Sequence, residues 1–145
     1  MGNGMKYICD APNSRTWFRI EKDAEAARES IDMQHAVEKH FLREKELAAQ
    51  SYKPVSTVNF EQMIGLRGHL ERTMPIFLTL RDQRGAGLAT AMLPPGGKDS
   101  AGARIIVVGC ANADPYAQHA DAIQALGRHF HLALDRGRCF PYSRG

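Results

Sequence analysis

Cys110 and His119 are the residues of this chain whose types and order come nearest to reactive chemistry. Cys110 stands between an apolar run and the Asp114-Pro115 pair, which reads as a helix cap with proline at the first helical position. A helix N-terminus lowers a thiol pKa, and the thiolate is the nucleophile. A Cys–His pair also needs the base within hydrogen-bond reach and a third group to orient it, a role open to Asn112 or Asp121. The competing reading is that Cys110 fills a semi-buried turn, and nothing in the spacing demands the reactive one.

Other suggestive spacings fail on their own chemistry. Pro95–Ser100 holds a Gly-Lys pair with a nearby serine, as phosphate loops do, but Asp99 follows the lysine where a hydroxyl belongs and Met92 stands where the earlier glycine belongs. Gly85 and Gly87 resemble the start of a dinucleotide fingerprint, yet Thr90 occupies the third glycine position and a strand follows in place of a helix. Turn geometry with positive φ is the simpler account of both glycines.

His119, His129, His131 and Cys139 lie closest together among the candidate metal ligands. On a helix, His129 and His131 project about 200° apart and cannot converge on one ion. No metal and no cofactor is expected. The carboxylates form no distinct pair and read as a solvated helical face.

The C-terminal Arg136, Arg138 and Arg144, interleaved with Phe140 and Tyr142, carry groups that suit phosphates and stacked bases. Arg81, Arg84 and Lys98 extend that strip if the central hairpin lies nearby. The plainer account has Phe140 and Tyr142 pinning the terminus while the arginines stay wet.

These residues need a scaffold, and the sequence predicts an α+β single domain over 1–145, ending in a basic, aromatic arm at 136–145. Strand formers at Lys6–Cys9 and Thr16–Ile20 flank a turn-rich segment, giving an N-terminal hairpin. Residues 23–50 contain neither proline nor glycine and predict one long helix capped by Asp23. A short helix over about 61–73 precedes a central hairpin over 76–93. Strand 104–108 is apolar at consecutive positions, predicting burial on both faces and a central place in a mostly antiparallel sheet. A helix over about 115–130 follows, with a further strand suggested at Leu132–Leu134.

The chain has 145 residues, 43% of them hydrophobic and 24% charged, enough for a packed core without staples. Its formal charge of +3 is unevenly placed, since residues 21–50 carry eight acidic and five basic side chains. Opposed surface potentials of this kind orient partners. Three widely spaced cysteines, no secretory or myristoylation pattern and no membrane-length apolar run point to a cytoplasmic protein.

The leading functional expectation is a small non-catalytic interaction module that binds a protein partner or a second copy of itself. A nucleic-acid-binding accessory protein is the alternative, and an enzyme built on Cys110 and His119 the third. The first rests on one supposition, that polar groups are spread over the exterior and do not gather around a shared hollow.

Overall fold

The computed structural model describes residues 4–52, 59–100 and 103–139, with the backbone alone over 59–64. Strands β1 (Lys6–Ala11), β2 (Arg15–Ile20), β3 (Ile76–Arg81), β4 (Gly87–Leu93) and β5 (Ile106–Val108) form one antiparallel sheet in the order β1-β2-β3-β4-β5. Helices α1 (Asp23–Met33), α2 (Val37–Gln50) and α3 (Asn59–Thr73) all fall between β2 and β3, and α4 (Tyr116–Phe130) follows β5. The expected α+β architecture is present, with both predicted hairpins.

Helices cover both faces of the sheet, and the two-residue period of a strand sorts the side chains between them. Trp17, Ile76, Leu78, Leu80, Ala89, Ala91 and Val107 join Ala122, Ile123 and Leu126 of α4 in one core cluster. Ile20 and Phe77 join Ala26 of α1 and Val37, Phe41 and Ala48 of α2 in the other. Trp17 is fully buried, and its indole N–H donates to the Ala122 carbonyl at 2.9 Å, tying β2 to α4.

Four local expectations change. The long helix is two helices, because Gln34 takes a left-handed conformation (φ 53°) and the Ser30 hydroxyl accepts the Glu38 amide at 2.8 Å, starting α2 on a new axis. Propensity sees no breaker there, since the break is held by tertiary and side-chain bonds. Lys22 and not Asp23 is the cap residue of α1, with the Glu25 carboxylate accepting the Glu21 and Lys22 amides at 2.9 and 3.0 Å.

The third change concerns β5, which lies at an edge of the sheet and not at its centre. Val107 and the preceding Ile105 point into the α4 cluster while Ile106 and Val108 line the opposite face, so burial on two sides comes from the covering helices. The central strand is β3, buried at every position. Finally, Leu132–Leu134 is irregular, because His131 ends α4 in a left-handed conformation (φ 59°) and the Leu132 amide turns back to the Gly127 carbonyl at 2.8 Å.

The central turn explains only one of its two glycines by backbone conformation. Gly85 has φ 84°, whereas at Gly87 a Cβ would lie 2.6 Å from the Met33 sulfur. Gly87 is small so that the end of α1 can close on the sheet, and that closure positions the α1–α2 corner described next.

Candidate functional site

The α1–α2 corner stands over β4 and β5 and leaves a groove of about 710 Å³ between them. Phe77, Met92, Ile106 and Val108 line it from the sheet and Val37 from α2, an apolar set that follows from the inward period of β3, β4 and β5. His35, His40, Arg43, Glu44, Arg104 and Asn112 supply its polar groups. A cleft of this kind, apolar with a few polar groups, is the usual form of a ligand site, whose volumes run from about 300 to about 1,000 Å³.

Behind the groove lies a buried chain of polar groups. Glu29 of α1 is fully buried, at 0% exposure, with one carboxylate oxygen bonded to the Arg81 guanidinium and the other accepting the Thr90 hydroxyl at 2.5 Å. Because that hydroxyl donates to Glu29, its oxygen accepts from His35 Nε2–H at 2.9 Å. His35 thus holds the tautomer with its lone pair on Nδ1. Burial pushes the His35 imidazole below its ordinary value, with Glu29 opposing, so the ring is neutral at pH 7.

Arg81 anchors the other end. Its guanidinium also donates to Asp32 at 3.1 Å and to the Gly85 carbonyl and Thr79 hydroxyl, both at 3.0 Å. Burial raises the Asp32 carboxyl, but hydrogen bonds from Arg81 and Arg28 outweigh it and leave the group below the usual carboxylate range. The chain of bonds therefore runs from Arg28, on the exposed side of α1, through the sheet face to His35 at the groove. The supposition that polar groups avoid a shared hollow is incorrect for this structure, since ionisable side chains do gather around this one.

Of the sequence-derived candidates, Arg81 and Asn112 belong to this region, whereas Cys110 and His119 do not come together. Cys110 is exposed on the short turn after β5, not semi-buried, and no hydrogen bond joins it to His119 among the described residues. His119 and Asp121 meet instead on Arg15, whose guanidinium donates to His119 Nδ1 at 3.0 Å and to Asp121 at 2.8 Å. Burial and then the Arg15 charge lower the His119 pKa, with Asp121 opposing. Asn112 faces the groove. His129 packs edge-on against Phe130, ring centroids 4.9 Å apart. Among the described residues no three His, Cys, Asp or Glu side chains are placed to hold a metal ion.

Of the basic strip, Arg84 and Lys98 are exposed, whereas Arg81 is turned inward onto Glu29. Arg136 is paired with Asp114 and lies 5.4 Å from the centre of the Tyr116 ring, and Arg138 bonds Asp99 at 2.6 Å. Phe140, Tyr142 and Arg144 lie outside the described residues.

Sequence reasoning missed Glu29, Thr90 and His35. Glu29 reads as one more solvated acid, although Ala26, Glu29 and Met33, all buried on α1, recur at helical spacing. Thr79 and Thr90, directly paired across β3 and β4, are polar residues in otherwise apolar strands and were the available signal. Compared with family models, curated proteins and solved structures, the chain matches none. Among the described residues no helix is long and apolar enough to cross a membrane.

Proposed function

We propose that this chain is a small cytoplasmic interaction module that binds its partner in the groove between the α1–α2 corner and β4–β5, without transforming it. The observation that carries this reading is the apolar groove with polar groups at its edge, backed by a carboxylate whose two oxygens are already committed to Arg81 and Thr90. A carboxylate so engaged braces a wall; it is not poised to move protons. The free thiols of Cys9, Cys110 and Cys139 suit a reducing compartment.

A protein partner or second copy is the second reading, favoured by Ile31 and Leu47, which are 74% and 50% exposed on α1 and α2. The nucleic-acid alternative retains Arg84 and Lys98, but Arg136 and Arg138 already hold carboxylates.

The test is retention on native purification. Mass spectrometry of what the folded protein carries should show a bound species that Ile106→Trp, which fills the groove, releases and that Ile31→Ser does not. Equal retention by wild type and Ile106→Trp would remove the groove reading. Release by Ile31→Ser alone would favour the helix face and a protein partner.

A further inference from the structure

Arg15 ties the turn of the β1–β2 hairpin to α4 partly through an acceptor that a proton can remove. The residue is 6% exposed, and its guanidinium donates from Nε to the Pro12 carbonyl at 2.6 Å, from Nη1 to His119 Nδ1 at 3.0 Å and from Nη2 to the Asp121 carboxylate at 2.8 Å. A guanidinium has donors only, so His119 Nδ1 is the acceptor and the ring proton of the neutral form sits on Nε2. The imidazolium carries N–H at both nitrogens, and in this position it would set donor against donor and positive charge against positive charge. The Pro12 and Asp121 bonds survive in either form of the ring. Burial and then the Arg15 charge of β2 disfavour a positive His119, with Asp121 of α4 opposing; β1, also packed on α4, adds no charge to this balance among the described residues.

We infer that Arg15, His119 and Asp121 form a proton-operated clasp between the hairpin turn and α4, closed while His119 is neutral and opened when the ring takes up a proton and swings away from Arg15. Its two ends are irregular backbone, since Asn13 and Ser14 of the turn have φ of 63° and 61° and His119 leaves helical geometry inside α4 at φ −129° and ψ 21°. The neighbouring tie, from the Trp17 indole to the Ala122 carbonyl, contains no titratable group. Opening is therefore confined to the turn, and the body of the hairpin stays on α4. The clasp lies on the α4 face of the sheet, opposite the groove, and stands whether or not the groove binds.

The experiment is an NMR titration of the folded protein from about pH 8 to about pH 5, reading the His119 ring nitrogens, the Asn13 and Ser14 amides and the Arg15 side-chain N–H signals. The ring should hold the Nε2–H tautomer at the start and titrate below the ordinary histidine value of about 6.5. The Asn13, Ser14 and Arg15 signals should move with the same midpoint while the Trp17 indole signal does not. His119→Gln, whose amide oxygen accepts from Arg15 at every pH, should keep these signals at their closed positions and abolish their pH dependence. Asp121→Asn, at a side chain 49% exposed, should lower the His119 midpoint by roughly half a pH unit, because the charge that favours the imidazolium is gone. An Nδ1–H tautomer at the start, turn and Arg15 signals that stay in place while the ring titrates, or the same movement in His119→Gln would overturn the clasp. An unmoved His119 midpoint in Asp121→Asn would overturn the part given to Asp121.

Discussion

Replacing Glu29 by alanine tests whether the buried polar chain holds the α1–α2 corner in place. Removing one partner of a buried ion pair costs about 3–5 kcal/mol, because the other charge is left uncompensated out of water. Here Arg81 keeps Asp32, Thr79 and the Gly85 carbonyl, which argues for the lower end of that range. Thr90 also loses its acceptor, adding about 1 kcal/mol. The expected loss is therefore about 4 kcal/mol, against a total stability of about 5–15 kcal/mol for a domain, so the variant folds but melts roughly 8–16 °C lower. Urea titration followed by circular dichroism measures it. Glu29→Leu combined with Arg81→Met should recover at least about 2 kcal/mol relative to the sum of the single variants, since an apolar pair carries no desolvation penalty. A Glu29→Ala loss below about 1 kcal/mol, or strictly additive single effects, would refute the claim that these groups act as one buried unit.

Three further outcomes follow from the same geometry. Gly127→Ala should destabilise by about 1–3 kcal/mol in a thermal melt, although helix propensity favours alanine by about 1 kcal/mol, because the new Cβ would sit 2.7 Å from the Leu132 carbonyl oxygen. His35 and His119 are both held below the ordinary histidine value, so the unfolded chain takes up their protons first as pH falls. The stability they contribute is present above about pH 6.5 and is lost as pH falls from there through their folded values, so the urea midpoint should drop between about pH 7.5 and about pH 5, and less steeply in a His35→Gln, His119→Gln protein. The depressed Asp32, Asp99 and Asp121 carboxyls lose their contribution only at lower pH, which separates the two effects. With a chromogenic disulfide reagent, exposed Cys110 should react first and Cys139 last, since burial pushes the Cys139 thiol up within a packed core; simultaneous reaction would contradict the packing described.

The strands and α4 were legible because their signals are local. Ile76–Leu80 is apolar but for Thr79, and the Asp-Pro pair does announce a helix, although Pro115 and not Asp114 is its cap residue and Asp114 accepts the Tyr116 amide at 2.9 Å from one position earlier. The break after Met33 was not legible, because Gln34, His35 and Ala36 contain no breaker and the bonds to Ser30 and Thr90 cross from one element to another. For the same reason the groove was invisible: Glu29, Thr90 and His35 are far apart in sequence and ordinary one at a time. Arg81 misled in the opposite direction, since a basic residue next to a turn reads as wet unless its carboxylate partner is already known.

Spatial neighbours in the sheet are also sequence neighbours, with one long detour from Ile20 to Ile76. The β3–β4 hairpin and its β5 extension are short-range contacts and are expected to form first, whereas the β2–β3 seam requires the whole detour to close, at an entropic cost that grows only with the logarithm of its length. Met92 and Ile106 belong to the short-range part, and His35 and Arg43 to the detour. Any molecule seated between them staples the late-arriving half of the chain to the early half, and by mass action its concentration becomes a control on how long the protein survives.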